Sequence, residues 1–241
     1  AEDVNIRVED INAMALETSY VTGASSKDGS GDPSPITSLG VYHGIRASVL
    51  HKLGKQDLEG LKIAIQGCGA VGTFLAELLH KNNCKLFVSD VDPQKTENAA
   101  KCYGAKIVDV NEIHSIPVDV FAPCALGGVI NDKTIPELKT VIVAGGANNQ
   151  LLDEDKHSVM LKEKDILYAP DYVINAGGLI NVYRDLKGYD EAESRRRTEK
   201  IYETLIGIYK SADTEGITTL QASNRLAEER ILSARKKRTK K

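Results

Sequence analysis

Short apolar runs alternate with helix-length segments through the middle of the chain. The runs are rich in β-branched residues, and strands spaced in this way predict helical crossovers between parallel neighbours. Parts of the first three runs are continuously apolar, which is typical of strands that helices cover on both faces. The pattern predicts an α/β fold with a doubly wound, mostly parallel sheet of the Rossmann type, whose strands lie at 62–66, 85–89, 106–110, 118–122, 140–144 and 165–169.

Helical periodicity flanks this region on both sides. Residues 34–53 place apolar side chains at i, i+3 and i+4 spacing, and Ser34 followed by a proline predicts the N-cap of that helix. The same spacing recurs over 190–213, and Thr218 with Gln221 forms a capping-box pair that predicts a last helix. The sheet is therefore expected to carry additional N-terminal and C-terminal helices.

A glycine-rich turn follows the first predicted strand directly and opens a helix whose expected inner side carries Phe74, Leu75, Leu78 and Leu79. Gly67 permits the tight turn, Gly69 lets the backbone approach a pyrophosphate at the helix N-terminus, and Gly72 lets helix and strand pack closely. A loop that binds nothing is the alternative, and S-adenosylmethionine enzymes use similar turns, but the third glycine favours a dinucleotide. The expected cofactor contacts in this turn are Gly67, Gly69, Ala70, Val71 and Gly72.

An acidic residue closes the second predicted strand. Asp90 lies 18 residues beyond Gly72, where a carboxylate would accept a hydrogen bond from the adenosine ribose of a dinucleotide. The same carboxylate would repel a 2′-phosphate, and no arginine follows it. The pattern therefore favours NAD over NADP as the cofactor.

Small and carboxamide residues follow the fourth, fifth and sixth predicted strands. Pro-Cys-Ala-Leu-Gly-Gly begins at residue 123, Gly-Gly-Ala-Asn-Asn at 145 and Asn-Ala-Gly-Gly at 175. Ligands of doubly wound sheets lie beyond the carboxyl ends of the strands, so these loops would face one crevice with room for a nicotinamide and a small substrate. For any one of these loops alone, a simple turn is the favoured explanation, but their repetition at successive strand ends favours binding.

The composition is that of an ordinary globular protein. The 241 residues are 41% hydrophobic and 27% charged with a formal net charge of −3, which excludes collagen, disulfide scaffolds and disordered chains. No apolar run is long enough to span a membrane, and the acidic start lacks the pattern of a signal peptide. We therefore expect a cytoplasmic protein without a membrane partner.

Charge is distributed unevenly along the chain. Residues 235–241 hold six of the 31 basic side chains, so the remainder has 25 basic against 34 acidic ones. An acidic body argues against nucleic acid as a partner, and we interpret the basic tail as a solvated end. The four cysteines form no CxxC pair and the five histidines no cluster, so we expect free thiols and no metal site.

Five segments stand out when the chain is considered as a whole. They are GDPSPITSLGVYHGI at 31–45, QGCGAVG at 66–72, PCALGGVI at 123–130, GGANNQL at 145–151 and APDYVINAGGLINV at 169–182. Taken together they resemble the Glu/Leu/Phe/Val amino-acid dehydrogenases, with the leucine dehydrogenase branch the closest. The resemblance implies an NAD-dependent oxidoreductase that converts an L-amino acid to a 2-oxo acid and ammonia, with hydride passing from the α-carbon to NAD.

The resemblance also places individual residues around the cofactor and the substrate. Thr37 would lie near the nicotinamide carboxamide, Cys124 and Ala125 beside the cofactor, and Asn148 near its ribose or amide. Asn175 would hydrogen-bond the substrate in the cleft.

Two further positions concern the side chain of the substrate. By the resemblance, Leu179 and Val182 would line its pocket, and both are apolar where a glutamate-specific enzyme needs a polar group. A hydrophobic L-amino acid such as leucine, valine or isoleucine, or the matching 2-oxo acid, is therefore the expected substrate. Packing of a helix against the core explains the same two residues almost equally well.

The catalytic groups of the family are only partly matched. Asp3 matches the aspartate that exchanges protons with the substrate amine and the attacking water. The family's catalytic lysine belongs to a glycine-rich segment of an N-terminal substrate-binding domain, and no such segment precedes Asp3 in this chain. We interpret residues 1–25 as a remnant of that domain, 26–213 as the NAD-binding domain and 214–241 as a C-terminal helix and basic tail.

Two functions remain open at this point. The chain is the cofactor domain of a full-length dehydrogenase, which we would expect to be a homo-oligomer, or it is a catalytically inactive NAD-binding or regulatory protein derived from that family. A different dehydrogenase completed by a partner chain has little support. In each case we expect NAD binding with little turnover, because losing a donor that stabilises developing charge costs about 3–4 kcal/mol.

Overall fold

A computed structural model describes residue 1 and residues 6–25, 29–185 and 188–239. Within them one parallel sheet contains β1 (Lys62–Gln66), β2 (Lys85–Ser89), β3 (Lys106–Ile107), β4 (Val120–Pro123), β5 (Ile142–Val143) and β6 (Leu167–Tyr168). The strands lie in the order β3-β2-β1-β4-β5-β6. This is the order of a doubly wound sheet with a switch point beside β1, so the predicted Rossmann-type fold class is confirmed.

The register of the central strands brings their carboxyl ends to one level. Gln66, the last residue of β1, pairs with Ser89 on one side and with Pro123 on the other. The residues that follow these three positions therefore emerge together at the same edge of the sheet. That edge is where the sequence predicts ligand binding.

Helices cover both faces of the sheet and continue beyond it. They are α1 (Val8–Ala15), α2 (Ser34–Leu53), α3 (Ala70–Lys81), α4 (Pro93–Tyr103), α5 (Thr134–Glu137), α6 (Glu154–Glu163), α7 (Asp171–Ile174), α8 (Gly177–Asp185), α9 (Glu191–Glu199), α10 (Ile201–Glu215) and α11 (Thr219–Thr239). The predicted N-terminal and C-terminal helices are thus present. Over the described ranges, no helix is both long and apolar enough to cross a membrane.

The two faces of the sheet enter separate hydrophobic cores. Ile63 and Ile65 of β1 point into a core shared with α2, α3 and α10, whereas Ala64 points into a core shared with α5 and α6. Burial on both faces explains why the strand runs in the sequence are continuously apolar. Leu220 and Ala222 at the start of α11 enter these two cores as well. Residues after 213 therefore pack directly on the sheet domain, and the three-part domain division stays a prediction.

The helix over 34–53 is confirmed and lies at the centre of the packing. Gly40 and Gly44 face α7 and α10, and a Cβ added to Gly40 would lie 2.8 Å from Ile201 Cδ1 and 3.1 Å from the carbonyl oxygen of Ile174. The assignment of Ser34 as N-cap is wrong. Pro33 occupies the N-cap position, and Asp32 Oδ1 accepts a hydrogen bond from Ser34 N at 2.8 Å, so the side chain of Asp32 supplies the polar contact at this end.

Other helix details also differ from the sequence prediction. Phe74 is 37% exposed rather than inward-facing, because the buried stripe of α3 runs through Leu75 and Leu79. The helix expected over 190–213 is two helices, and Lys200 between them donates its N–H to Arg197 O at 3.2 Å, a bond one residue shorter than the helical spacing.

The predicted capping box at the start of the last helix is confirmed. Thr218 N donates to Gln221 Oε1 at 3.0 Å, and Gln221 N donates to Thr218 Oγ1 at 3.1 Å. The strands are confirmed in position, but several are shorter than predicted. For example, β3 ends at Ile107 because Asp109 Oδ1 accepts from Asn111 N at 2.8 Å and so begins a turn.

Candidate cofactor-binding site

The turn between β1 and α3 is built by close approach of backbone to backbone. Gly67 has φ +98°, and a Cβ there would lie 2.8 Å from Ala125 N and 2.9 Å from Cys124 C. A Cβ on Gly72 would collide with the carbonyl oxygen of Gly67. Both glycines are therefore required by contacts within the protein, as the roles expected of the first and third glycines predict.

Gly69 lies in the same turn but has no such reason to be glycine. It caps the N-terminus of α3 with φ −70°, a value that any residue adopts, and an added Cβ would meet no atom of the described residues within 4 Å. The first N–H groups of α3 have no partners inside the helix, and the helix dipole favours negative charge at this end. An open position at such an end fits a pyrophosphate that approaches the backbone. Ala70 and Val71 form the first turn of α3 beside it.

Asp90 lies directly beside the glycine-rich turn. Its Oδ2 accepts from Cys68 N at 2.7 Å, and its Oδ1 accepts from Asp92 N at 2.9 Å. The carboxylate thus ties the turn after β1 to the segment after β2, a structural role that sequence reasoning missed. Each carboxylate oxygen keeps a second acceptor position, so the predicted ribose contact stays compatible with this geometry.

The segment after β4 borders the turn on its other side. Cys124 N donates to Gln66 O at 2.7 Å, which places Cys124 and Ala125 at the level of Gly67. Burial raises the pKa of Cys124 to about 12, outweighing a hydrogen bond from the backbone of Gly146. Burial, with a contribution from Asp90, raises the pKa of Cys68 to about 11. Both thiols are protonated at neutral pH, so neither is activated as a nucleophile beside the turn.

Two predicted carboxamides meet across the cleft. Asn175 Nδ2 donates to Asn148 Oδ1 at 2.7 Å and to the carbonyl oxygen of Gly146 at 3.4 Å. Asn148 belongs to the loop after β5, and Asn175 lies at the C-terminus of α7. The structure therefore brings together a residue predicted to contact the cofactor and a residue predicted to contact the substrate.

Thr37 lies where α2 meets α8. Its Oγ1 donates to Pro33 O at 2.9 Å. A Cβ on Gly178 would lie 2.6 Å from Thr37 Oγ1. A Cβ on Gly177 would lie 2.9 Å from the carbonyl carbon of Ile36. The first turns of the two helices can approach this closely only because α8 begins with two glycines.

The two positions predicted for the substrate pocket differ in exposure. Leu179 is 72% exposed, whereas Val182 is 9% exposed and lies near Gly23. Core packing does not explain Leu179, although it does contribute to the burial of Val182. Asp3, the predicted catalytic residue, lies outside the described residues.

A cavity of about 580 Å³ lies away from the carboxyl edge of the sheet, between α7, α8 and the helices α9 to α11, and none of the predicted site residues line it. Sequence reasoning also missed two buried polar residues beneath the cleft, Gln150 and Asp171. Gln150 directly follows the Asn-Asn pair, and this position is the sequence feature that could have indicated a role for it in the site.

Comparison with known proteins identifies relatives of similar sequence. The profile of the Glutamate/Leucine/Phenylalanine/Valine dehydrogenase family matches residues 29–94 and 90–239. An L-tryptophan dehydrogenase from Nostoc punctiforme is 51% identical over 239 residues, which are 99% of this chain and 67% of that protein. A leucine dehydrogenase from Bacillus cereus is 45% identical over 99% of this chain and 65% of its own length. The chain therefore spans about two thirds of the length of these relatives.

Solved structures give the same result. The crystal structure of the Nostoc punctiforme L-tryptophan dehydrogenase superposes with a TM-score of 0.87 at 49% identity, covering 98% of this chain and 67% of that one. A hetero-hexameric glutamate dehydrogenase from Thermus thermophilus has a TM-score of 0.73 at 20% identity over 95% of this chain and 61% of that one, a likeness of fold alone. The resemblance read from the five motifs is confirmed, and the chain belongs to the Glutamate/Leucine/Phenylalanine/Valine dehydrogenase family, whose members are NAD(P)-dependent amino-acid dehydrogenases.

Proposed function

We propose that this chain binds NAD across the carboxyl edge of its sheet and supplies the cofactor-binding part of a dehydrogenase for hydrophobic L-amino acids. The reaction is oxidative deamination. The bond from the α-carbon to hydrogen breaks and hydride leaves, the resulting imine takes up water, and a 2-oxo acid and ammonia are released. When bound, NAD supplies the hydride acceptor.

One observation carries the cofactor proposal. Gly69 stands open at the N-terminus of α3, while Gly67 and Gly72 on either side of it are explained by contacts within the protein. A pyrophosphate at this position would accept hydrogen bonds from the unpaired N–H groups of the first helical turn. The chain thus provides backbone donors at an uncrowded helix end, which is the arrangement that a dinucleotide requires.

Asp90 supports NAD as the nucleotide rather than NADP. Its carboxylate is held in place by the N–H groups of Cys68 and Asp92, at 2.7 Å and 2.9 Å. A fixed negative charge accepts hydrogen bonds from ribose hydroxyls and repels a 2′-phosphate. Asp90 therefore orients the adenosine end of the cofactor and discriminates between the two nucleotides.

The substrate class follows from the residues on α8. Leu179, which is exposed, and Val182, which is largely buried, are both apolar and offer no charge to a substrate carboxylate side chain. Asn175 would orient the substrate by a hydrogen bond, and Asp3 would exchange protons with its amine and with the attacking water. The relatives named for tryptophan, leucine and phenylalanine support a hydrophobic side chain.

A titration of the 241-residue chain with NADH and NADPH, followed by nucleotide fluorescence, tests the cofactor proposal. We expect NADH to bind at least about tenfold more tightly, a difference of about 1.4 kcal/mol. Binding of neither nucleotide at millimolar concentration would contradict the proposal, and tighter binding of NADPH would contradict the role of Asp90.

Turnover is measured separately as NADH formation with L-leucine, L-valine, L-phenylalanine and L-tryptophan, with L-glutamate as the control. We expect the chain assayed alone to form little NADH, because the family's lysine-bearing segment matches nothing in it. Any activity that is seen should favour the hydrophobic substrates. A preference for glutamate would contradict the assignment of Leu179 and Val182.

A further inference from the structure

Gln150 lies beneath the loop at residues 145–149, which faces the cleft, and its side chain is completely buried. Its Nε2 donates to the carbonyl oxygens of Gly145 at 2.8 Å and of Ala147 at 3.0 Å. One side-chain amide therefore holds the loop at two points immediately before Asn148. This contact uses both hydrogens of the amide nitrogen, which no carboxylate and no hydroxyl can supply.

The backbone of Gln150 extends the connection to the neighbouring segments. Its N–H donates to Asp171 Oδ2 at 3.2 Å, and its carbonyl oxygen accepts from Ile130 N at 3.0 Å. Asp171 is 7% exposed, and its Oδ1 accepts from Tyr172 N at 2.7 Å. The carboxylate thus fixes the start of α7, and one turn later Asn175 N donates to Asp171 O at 2.9 Å.

These contacts close a ring of hydrogen bonds around the cleft. The side chain of Gln150 donates to two carbonyls of the loop, and its N–H donates to Asp171. Asp171 begins the short helix whose C-cap is Asn175, and Asn175 Nδ2 returns to Asn148 Oδ1 at 2.7 Å. The loop on the cofactor side and the carboxamide on the substrate side therefore belong to one hydrogen-bonded unit.

The remaining atom of the Gln150 side chain argues against a purely structural role. Its Oε1 is buried with no hydrogen-bond partner among the residues that the structure describes. A buried acceptor without a partner is costly, and leucine at this position would avoid that cost if packing were the only requirement. The two hydrogen bonds that the side chain donates to the loop offset this cost.

We propose that Gln150 is a positioning residue that sets the 145–149 loop against the cofactor and, through Asp171, couples Asn148 to Asn175. The inference rests on the proposed function, since it assigns the loop to a bound dinucleotide. Gln150 touches neither ligand and acts through the loop carbonyls. Its effect should therefore appear in cofactor affinity and in local exchange at the loop.

The test compares Gln150→Leu, Gln150→Glu and the unmodified chain in NADH titrations and in amide hydrogen exchange. Gln150→Leu keeps the volume but leaves the carbonyls of Gly145 and Ala147 without a partner. We expect NADH to bind at least tenfold more weakly and exchange to accelerate in peptides covering 145–150 and 171–176, with the rest of the sheet unchanged. Tyr209→Phe is the matched control, because it removes another buried hydrogen bond, from the Tyr209 hydroxyl to Ser48 Oγ at 2.8 Å, far along the chain from the loop.

Gln150→Glu adds a readout that lost packing alone would not produce. A buried carboxyl facing two carbonyls has a raised pKa, and only its protonated form can donate to one of them. Its NADH affinity relative to the unmodified chain should therefore be highest near about pH 6 and fall as the pH rises to about 8.5 and the group ionises. This variant also serves if Gln150→Leu fails to fold.

The outcomes separate the inference from the function on which it rests. If both variants bind NADH as Tyr209→Phe does, with unchanged exchange at the loop and no pH dependence, Gln150 has no positioning role. If the unmodified chain binds no NADH, the proposed function fails, and exchange alone decides the positioning role. Faster exchange confined to the two peptides would then support it, and uniform exchange would overturn it.

Discussion

The turn after β1 and the loop after β5 face the same cleft but are held in different ways. Backbone packed on backbone shapes the turn, so Gly67 and Gly72 leave no space for a Cβ. The loop at 145–149 also packs on backbone, since a Cβ on Gly145 would collide with the carbonyl oxygen of Pro123, but it receives side-chain hydrogen bonds from Gln150 and Asn175 as well. Both segments should therefore respond to added volume, whereas only the loop should respond to loss of the Gln150 or Asn175 amide.

The largest effect is expected from Gly72→Ala, which tests the rigidity of the turn. The new Cβ would collide with the carbonyl oxygen of Gly67, a backbone atom, so the backbone of α3 or of the turn would have to shift. We expect the free energy of unfolding in urea to fall by about 3 kcal/mol, a typical upper value for overpacking, and NADH binding to be lost.

Gly207→Ala provides the control for that substitution. Gly207 lies within α10, and an added Cβ would meet no atom of the described residues within 4 Å. Alanine there should raise the free energy of unfolding by up to about 1 kcal/mol through helix propensity. Equal stability of the two variants would show that the turn is less tightly packed than the structure indicates.

Gly69→Ala separates ligand contact from protein packing within the same turn. No described atom lies near the added Cβ, so the free energy of unfolding should change by less than about 0.5 kcal/mol. NADH affinity should nevertheless fall at least about tenfold, or about 1.4 kcal/mol, because the methyl group occupies the space of the pyrophosphate. Unchanged affinity would mean that the cofactor does not approach α3 at this point.

Asp90→Asn tests the polar contact that supports the turn from outside. The amide retains one acceptor oxygen for two N–H donors, so we expect a loss of about 1 kcal/mol in the free energy of unfolding. Loss of the charge should also narrow the preference for NADH over NADPH, measured as the ratio of dissociation constants. If the ratio stays constant, discrimination arises elsewhere in the site.

The smallest effect concerns the cysteines around the cleft. Cys102 is exposed, whereas the pKa of Cys68 is raised to about 11 and that of Cys124 to about 12, chiefly by burial. Since the thiolate is the reactive form, iodoacetamide near about pH 7.5 should modify Cys102 first, and the rates at the other two should rise with pH. Mass spectrometry of peptides measures the order. Early modification of Cys124 would show that its environment is less buried than described.

The sequence was informative wherever structure depends on neighbouring residues. The periodicity of 34–53 predicts α2, and the GxGxxG pattern followed by Asp90 predicts the turn. The N-cap of α2 was misassigned because Asp32, two residues earlier, competes with Ser34 for the capping role. Local patterns thus predicted the elements more reliably than their ends.

Contacts between distant loops could not be predicted in the same way. Asn148 and Asn175 were each placed near a ligand, but their mutual hydrogen bond depends on how α7 packs beside the loop after β5. The position of Gln150 beneath that loop likewise depends on the fold of residues 145–151 and on the buried carboxylate of Asp171. Such contacts between residues that are distant along the chain produce no periodic pattern in the sequence.

The two glycines at the start of α8 have a practical consequence for engineering substrate preference. Leu179 is exposed and Val182 lies one turn later, so a library that tests the proposed substrate pocket should vary these two positions. Gly177 and Gly178 should be kept constant, because any side chain there would separate α8 from the first turn of α2 and shift the randomised positions together. Positions 179 and 182 can thus be varied only if the first two residues of the helix remain glycine.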